Sequence, residues 1–216
     1  MYTGKECFIN DGKYLSESML GFWQWAFSNI NDNTIRGTLA EYIVKSALDH
    51  GGYSYNPQQS AWSSYDLDGP MLSHLTPPRK SRIEVKCSAY LQEWGISNKL
   101  SFSIAPAKLL DEDLKDYLED SPRQRNNDLY VFAVYKAHDR RCNMLDLYWW
   151  EFYVFPTFRI ENDPKLYKQK TISLKKLATL CNPVTYSDLC SEIVSVCNSI
   201  ATDTVHHFPP SPVEGN

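Results

Sequence analysis

The sequence lacks the features that mark several large classes of protein. No stretch reaches the roughly 18 to 20 consecutive apolar residues that a transmembrane helix needs. The first residues, MYTGKECFINDGKY, contain no apolar run of the kind found in secretion signals. We therefore expect a cytoplasmic protein that does not associate with membranes.

Several catalytic and binding motifs are also missing. There is no Gly-rich phosphate loop, no Gly-x-Ser-x-Gly and no His-Glu-x-x-His, so nothing indicates an NTPase, a serine hydrolase or a zinc protease. The six cysteines form no Cys-x-x-Cys pair and several lie in apolar runs, which favours structural thiols over a zinc site. The net charge of −4 argues against a protein that coats nucleic acid by bulk electrostatics.

The sequence does contain enough apolar residues for one folded domain. Of its 216 residues, 43% are hydrophobic and 13% aromatic, which predicts a core built partly on large rings. Because there is no internal repeat and no strong linker, we predict one domain over residues 1–202 and a flexible tail over 203–216. Hydrophobic periodicity predicts helices over 14–30, 35–48, 107–118, 173–180 and 186–201, and strands over 61–68, 82–88 and 129–135. This order is typical of an α/β protein with a mixed sheet flanked by helices.

The predicted strand over 82–88 has one apolar face and one charged face. Side chains alternate along a strand, so Ile83 and Val85 lie on one face and Glu84 and Lys86 on the other. A Glu-x-Lys pair alone is also what a half-exposed strand with a surface ion pair would show, and such a pair stabilises a fold little.

Two further carboxylates precede this strand. Asp66 lies within a segment predicted as a strand, where Asp is disfavoured. Asp68, in contrast, is explained as a turn residue before Gly69-Pro70. Glu41 interrupts a helix that is otherwise largely buried, although a solvated helix position would also explain it. A helix Glu, a strand Asp and a strand Glu-x-Lys thus follow one another along the chain.

This order and spacing resemble the PD-(D/E)XK, or restriction-endonuclease-like, nuclease superfamily. The likeness extends to the flanking words RGTLAEY at 36–42 and EVKCSAYLQEW at 84–94, which resemble a group of largely uncharacterised bacterial proteins in that superfamily. It covers about residues 34 to 160. Tyr65 stands where the superfamily's name has Pro. The resemblance implies an αβββαβ core with a site at one end of the central strands.

The resemblance also implies a metal-dependent nuclease that hydrolyses phosphodiester bonds of nucleic acid, with DNA the preferred expectation over RNA. Asp66 and Glu84, together with the backbone carbonyl of Val85, would bind Mg²⁺, for which Mn²⁺ would substitute. Magnesium prefers such hard oxygen ligands. Glu41 would bind a second ion or hold a water molecule of the first.

Two more residues receive roles from the same resemblance. Lys86 would position or deprotonate the attacking water and offset the negative charge of the transition state. Gln92 would be an accessory polar residue near that water or the phosphate. One ammonium group cannot offset three carboxylates, so either a divalent ion completes the site or one acid stays protonated.

Nucleic acid would be held by phosphate contacts, for which Arg79, Lys80 and Arg82 are the candidates. Such a basic run is also typical of a solvated loop. Cleavage of both strands of a duplex would favour a two-fold homodimer. The alternative from another class is a catalytically inactive nuclease-fold module that binds nucleic acid or a protein partner. The presence of Asp, Glu and Lys together favours the enzyme.

Overall fold

The structure is a computed structural model that describes residues 2–53, 64–108, 110–111, 116–117 and 121–203. Its elements, in chain order, are β1 (Cys7–Asn10), β2 (Lys13–Ser18), α1 (Met19–Phe27), α2 (Asn33–His50), β3 (Leu67–Leu72), β4 (Arg79–Ala89), β5 (Leu91–Gln92), β6 (Gly95–Ile96), β7 (Ser101–Ser103), β8 (Leu110–Asp111), β9 (Asp116–Tyr117), β10 (Leu129–Tyr135), β11 (Trp150–Pro156), α3 (Thr157–Glu161), β12 (Thr171–Ser173), α4 (Leu174–Leu177) and α5 (Tyr186–Asp203). The predicted tail lies outside the described residues, except for Asp203, which ends α5.

The centre of the fold is a four-stranded mixed sheet. Its strand order is β11-β10-β4-β3, with β10 parallel to β4 and the other neighbours antiparallel. Every residue of β10 is buried, since both faces of this strand are covered. The predicted mixed sheet flanked by helices is confirmed, and β10 has the bounds that the periodicity predicted.

Two hydrophobic cores lie on opposite faces of this sheet. Helices α2 and α5 pack on the face that carries Ile83 and Val85 of β4. The other face carries Tyr130 and Phe132 of β10, and it is covered by residues of β7, α3, β12 and α4. Among the described residues, no helix combines the length and the apolar character needed to cross a bilayer.

Helix α2 lies where the periodicity predicted a helix and is slightly longer. It begins at Asn33 because the side chain of Asp32 accepts hydrogen bonds from the backbone N–H groups of Thr34, at 2.8 Å, and Ile35, at 3.1 Å. This N-cap occupies two of the backbone donors that a helix start leaves without partners. The helix packs on β4 and so places Glu41 next to the sheet.

The helix predicted over 14–30 is wrong in its first part. Strand β2 occupies residues up to Ser18, and only Met19–Phe27 is helical. Strand β2 pairs with β1 across a turn in which Asp11 and Gly12 have φ values of 47° and 75°. Two consecutive positive φ angles are typical of a two-residue hairpin turn, and Asp-Gly is one of its preferred sequences.

The helix predicted over 107–118 is also wrong. Ala107 forms a bridge with Gln124, and Leu110–Asp111 pairs antiparallel with Asp116–Tyr117. The residues between these two short strands lie outside the described part. Here strand pairing overrides a helical pattern, because local propensity is a weak determinant. The described residues between β4 and β10 therefore contain short strands rather than the helix that an αβββαβ core implies.

Strand β3 begins later than predicted. It starts at Leu67, and residues 61–63 of the predicted strand lie outside the described part. Gly69 and Pro70 lie within β3, at a register shift between Asp68 and Met71, and do not close the strand with a turn. Proline is tolerated there because β3 is an edge strand and the shift leaves a backbone position unpaired.

Gly69 lies so close to β4 that a larger residue has no room. A Cβ atom on Gly69 would be 2.4 Å from Oγ of Ser81 and 2.7 Å from Cδ1 of Ile83. We expect Gly69→Ala to lower the free energy of unfolding by about 1–3 kcal/mol through overpacking, as measured by urea denaturation. Gly37→Ala is the matched control, because a Cβ there meets nothing within 4 Å and alanine is the better helix former. Equal stability of the two variants would contradict this reading.

Candidate active site

Strand β4 places core residues on one face and charged residues on the other. Ile83 and Val85 are 0% and 5% exposed and belong to the core beneath α2. Glu84 and Lys86 alternate with them and form an ion pair with each other. The register with β10 places Tyr130 beside Glu84. The predicted division of this strand into an apolar and a charged face is confirmed.

Asp66 is attached to β4 by two hydrogen bonds. Its backbone N–H donates to the carbonyl oxygen of Ile83 at 3.0 Å, and its Oδ2 accepts from the backbone N–H of Val85 at 2.7 Å. Asp66 precedes β3 and is not inside a strand, so that part of the prediction is wrong. The side chain replaces a strand neighbour here, since β3 pairs with β4 only as far as Leu67 and Ile83.

The backbone of Val85 faces the same edge of β4 as Asp66. In a strand, the N–H and C=O groups of one residue point to the same side. Because the N–H of Val85 donates to Asp66, the carbonyl of Val85 also points to this edge, beyond the last β3 pair. A carboxylate oxygen and a carbonyl oxygen are thus present together at one edge of the sheet.

Lys86 is the cation at the centre of an acidic cluster. Burial alone would lower the pKa of Lys86, but the negative charges of Glu84, Asp66 and Glu41 outweigh it and raise the pKa above its usual value. Lys86 therefore stays protonated at neutral pH. These four residues come from α2, the segment before β3, and β4, and the charges of the three acids all act on Lys86.

The two carboxylates nearest to Lys86 are disfavoured as anions. Burial raises the pKa of Asp66, while Lys86 and the Val85 N–H oppose that shift without cancelling it. Burial and the charge of Asp66 raise the pKa of Glu84, again against Lys86. Burial is the main cause of both shifts, and the charge of Asp66 adds to it for Glu84.

Glu41 approaches the cluster from α2. It is half-buried, beside the fully buried Ala40, and its charge acts on both Lys86 and Cys87. Burial raises the pKa of the Cys87 thiol to about 11, with a contribution from Glu41 and opposition from Arg36. The role of Glu41 as a metal ligand stays a prediction.

Gln92 is held by protein groups rather than pointing freely into the cluster. Its Nε2 donates to the carbonyl oxygen of Ala89 at 2.6 Å, and its Oε1 accepts from Nη2 of Arg36 at 3.1 Å. Both Gln92 and Arg36 are buried, at 8% and 2% exposure. These bonds connect β5 to α2, the helix that carries Glu41. The predicted contact of Gln92 with water or phosphate stays a prediction.

The sequence prediction gave Arg36 no role, although the periodicity of the helix indicates that this residue is buried. It lies four and seven residues before the buried Ala40 and Ile43, so helical periodicity places it on the buried face of α2. Its guanidinium also donates to the carbonyl of Asn31 at 3.0 Å and to the side chain of Asn33. It therefore fixes the first turns of the helix that presents Glu41.

The three basic residues predicted to contact phosphate are paired with acids of the protein. Arg79 donates to both carboxylate oxygens of Asp128, at 2.6 and 2.7 Å, and the backbone N–H of Arg82 donates to the same carboxylate at 2.8 Å. Lys80 lies 3.1 Å from Oδ2 of Asp68. About a third of each basic side chain stays exposed. Phosphate contacts by these residues stay a prediction, and they would compete with these ion pairs.

The donor set available to a metal ion consists of oxygen atoms. Within the described ranges, no three His, Cys, Asp or Glu side chains are grouped so as to hold a metal by themselves. What β4 and Asp66 offer is two carboxylates and one backbone carbonyl. Magnesium in proteins is commonly bound by one or two carboxylates and completed by water and substrate phosphate.

The chain was compared with models of protein families, with curated proteins and with solved structures, and none of the three comparisons gave a match.

Proposed function

We propose that this chain is a metal-dependent nuclease that hydrolyses phosphodiester bonds of nucleic acid, with DNA as its substrate and the cytoplasm as its location. One observation supports the proposal most: Asp66 is hydrogen-bonded to β4 beside Glu84 and Lys86, and the charges of Asp66, Glu84 and Glu41, from three separate parts of the chain, all act on Lys86. The proposal includes a restriction-endonuclease-like core, supported by the order of α2, β3 and β4 and by the parallel pairing of β4 with β10. The short strands between β4 and β10 depart from that core.

The residues present fit a divalent cation. Asp66, Glu84 and the carbonyl of Val85 would hold Mg²⁺ or Mn²⁺, with Glu41 as a further ligand. Burial raises the pKa values of Asp66 and Glu84, and the charge of Asp66 adds to the shift of Glu84; a bound cation would stabilise both groups as anions. When bound, the ion would supply Lewis acidity at a phosphoryl oxygen and lower the pKa of a nearby water.

The protein's own side chains would position the reactants. The Val85 N–H fixes the carboxylate of Asp66, so this group needs little reorganisation when substrate arrives. Lys86 is held protonated by its acidic neighbours, and so it is suited to hydrogen-bond the attacking water and to stabilise negative charge that develops on the phosphoryl group. Glu84 contributes most to the raised pKa of Lys86, and the charge of Glu41 on α2 makes the smallest contribution in the same direction.

The direct test is incubation of the purified chain with supercoiled plasmid and linear duplex DNA in Mg²⁺ or Mn²⁺. We expect cleavage that EDTA prevents. If the chain binds DNA but does not cleave it under any of these conditions, the proposal of an enzyme is wrong and the chain is a nuclease-fold binding module.

Metal binding itself has a separate readout in the melting temperature. A site that binds Mn²⁺ only when folded stabilises the chain by about 2.7 kcal/mol at 100 times its Kd. For a chain of this size, this corresponds to a rise of roughly 5–10 °C. We expect wild-type protein to show this rise in thermal denaturation and Glu84→Gln to show little of it. An equal shift in both proteins would place the bound metal elsewhere.

A further inference from the structure

The first 27 residues form a small unit that is largely separate from the two cores. This N-terminal unit, residues 2–27, consists of the β1–β2 hairpin and α1. Helix α1 packs mainly on β2, and its start is tied to the preceding segment by hydrogen bonds from Met19 N–H to Glu6 O at 2.8 Å and from Leu20 N–H to Gly4 O at 3.1 Å. Within the described part of the chain, the first residue packed against either core is Ile30.

The N-terminal unit exposes an unusual amount of apolar surface. Nine of its large hydrophobic side chains are 40–82% exposed, among them Phe8, Ile9, Tyr14, Phe22, Trp25 and Phe27. Helix α1, MLGFWQWAF, has no buried residue and no charged residue. At roughly 100 Å² for each half-exposed side chain, the unit presents about 900 Å² of apolar surface.

Summed over the unit, this apolar area is comparable to what one protomer contributes to a stable dimer. A standard protein–protein interface buries about 800 Å² on each partner. A two-fold interface uses the same patch on both chains, so one self-complementary unit is sufficient. The hairpin also favours a dimer. No further described strand pairs with β1 or β2, and an isolated two-stranded hairpin is only marginally stable in water.

The charge of the unit disfavours a membrane or a nucleic acid as its binding partner. Helices that lie on membranes carry Lys and Arg on their polar face, and α1 has neither. Residues 2–27 contain two lysines and three acids, which gives a net charge of −1 and little attraction for phosphate groups.

We infer that the N-terminal unit is a homodimerisation surface, on which residues 2–27 of one chain pack against the same residues of a second copy. Apolar surface continues nearby on the β5–β6 hairpin, where Trp94 is 76% exposed and Glu93 Oε1 accepts a hydrogen bond from Asn29 at 3.4 Å. This inference does not depend on nuclease activity. With that activity, the dimer would hold two sites in a fixed relation on one duplex.

Sedimentation equilibrium of the full chain between 1 and 100 µM tests the inference. We expect a mass about twice that of the 24.9 kDa chain. Trp25→Glu changes the most exposed large side chain of the unit, and it should weaken dimerisation at least about 100-fold, as loss of a central aromatic anchor does. Leu145→Glu is the matched control, because Leu145 is 64% exposed outside the unit, and it should stay dimeric.

Hydrogen–deuterium exchange of the wild type at the two ends of this concentration range guards against a variant that fails to fold. Residues 2–27 should become more protected as the concentration rises. A wild type that is monomeric at 100 µM, or a folded Trp25→Glu variant that is still dimeric, would overturn the inference. A monomer that binds vesicles of neutral lipid would also overturn it. So would a monomer in which hydrogen–deuterium exchange of residues 2–27 increases when residues 204–216 are removed.

Discussion

A Glu84→Gln variant and a Lys86→Met variant are each expected to cleave DNA at least about 1000-fold more slowly than the wild type. Loss of one preorganised electrostatic group in an active site costs about 100- to 1000-fold, and loss of a metal ligand adds to this. Both changes keep the volume and remove the charge. Their melting temperatures without metal should stay near that of the wild type, since each side chain is partly exposed. Single-turnover cleavage rates at saturating Mg²⁺ measure the effect.

The chain contains a matched control on the same sheet. Lys136 and Glu151 form an ion pair at 3.3 Å, with 31% and 35% of their side chains exposed, while Lys86 is equally exposed at 31% and Glu84 is more buried at 20%. Glu151→Gln and Lys136→Met should therefore leave the cleavage rate within about two-fold, because a surface pair of this kind contributes little. If both pairs affect cleavage equally, or neither does, the assignment of the active site is wrong.

An Asp128→Asn variant is expected to lose about 2–4 kcal/mol of stability at pH 7. Asp128 is 5% exposed and accepts hydrogen bonds from Arg79 and Arg82, so its removal leaves two cations without their buried partner. Breaking a buried ion pair costs about 3–5 kcal/mol, and the partial exposure of both arginines places this variant at the lower end. Urea denaturation measures the change.

The same variant should abolish part of the acid sensitivity of the fold. Burial raises the pKa of Asp128, but the hydrogen bonds from Arg79 and the charge of Arg82 outweigh it and hold the pKa below its ordinary value. The stabilisation by Asp128 is therefore complete above the unfolded pKa of about 3.9 and is lost as the pH falls through the folded pKa. The difference in unfolding free energy between wild type and Asp128→Asn should be constant from about pH 5 to 8 and should shrink below about pH 4.

Asp68→Asn provides the comparison for this prediction. Asp68 also pairs with a cation of β4, Lys80, but the two side chains are 24% and 37% exposed. We expect a cost below about 1 kcal/mol, as for surface pairs. A cost as large as that of Asp128→Asn would show that burial is not what distinguishes the two carboxylates.

Much of the candidate site could be predicted because its residues stand out against a simple pattern. Strict alternation along β4 assigned Glu84 and Lys86 to one face, and the strand has that arrangement. An acid at the margin of the apolar arc of α2 drew attention to Glu41. For Asp66 the position was predicted and the reason was not, since it precedes β3 and accepts a hydrogen bond from Val85.

Other features could not be predicted, because they depend on partners distant in sequence. The polar atoms of Gln92 are bound by Ala89 and by Arg36, which is 56 residues away along the chain. The basic run before β4 was predicted to contact phosphate, but Asp128 and Asp68 pair with these residues in the structure. The helix predicted over 107–118 is replaced in its described residues by short strands that pair with one another.

By itself, the sequence determined the buried strands, the principal helices and the two faces of β4, because periodicity in one element needs no knowledge of any other. The Asp-Gly pair of the first hairpin also indicates its turn from local sequence alone, although the sequence prediction did not include this hairpin. Only the tertiary structure decided that the charges of Asp66 and Glu41 act on Lys86 and that Arg79 and Arg82 pair with an acid. Electrostatic energy depends on the distance between charges, and the fold alone sets the distances between groups far apart along the chain.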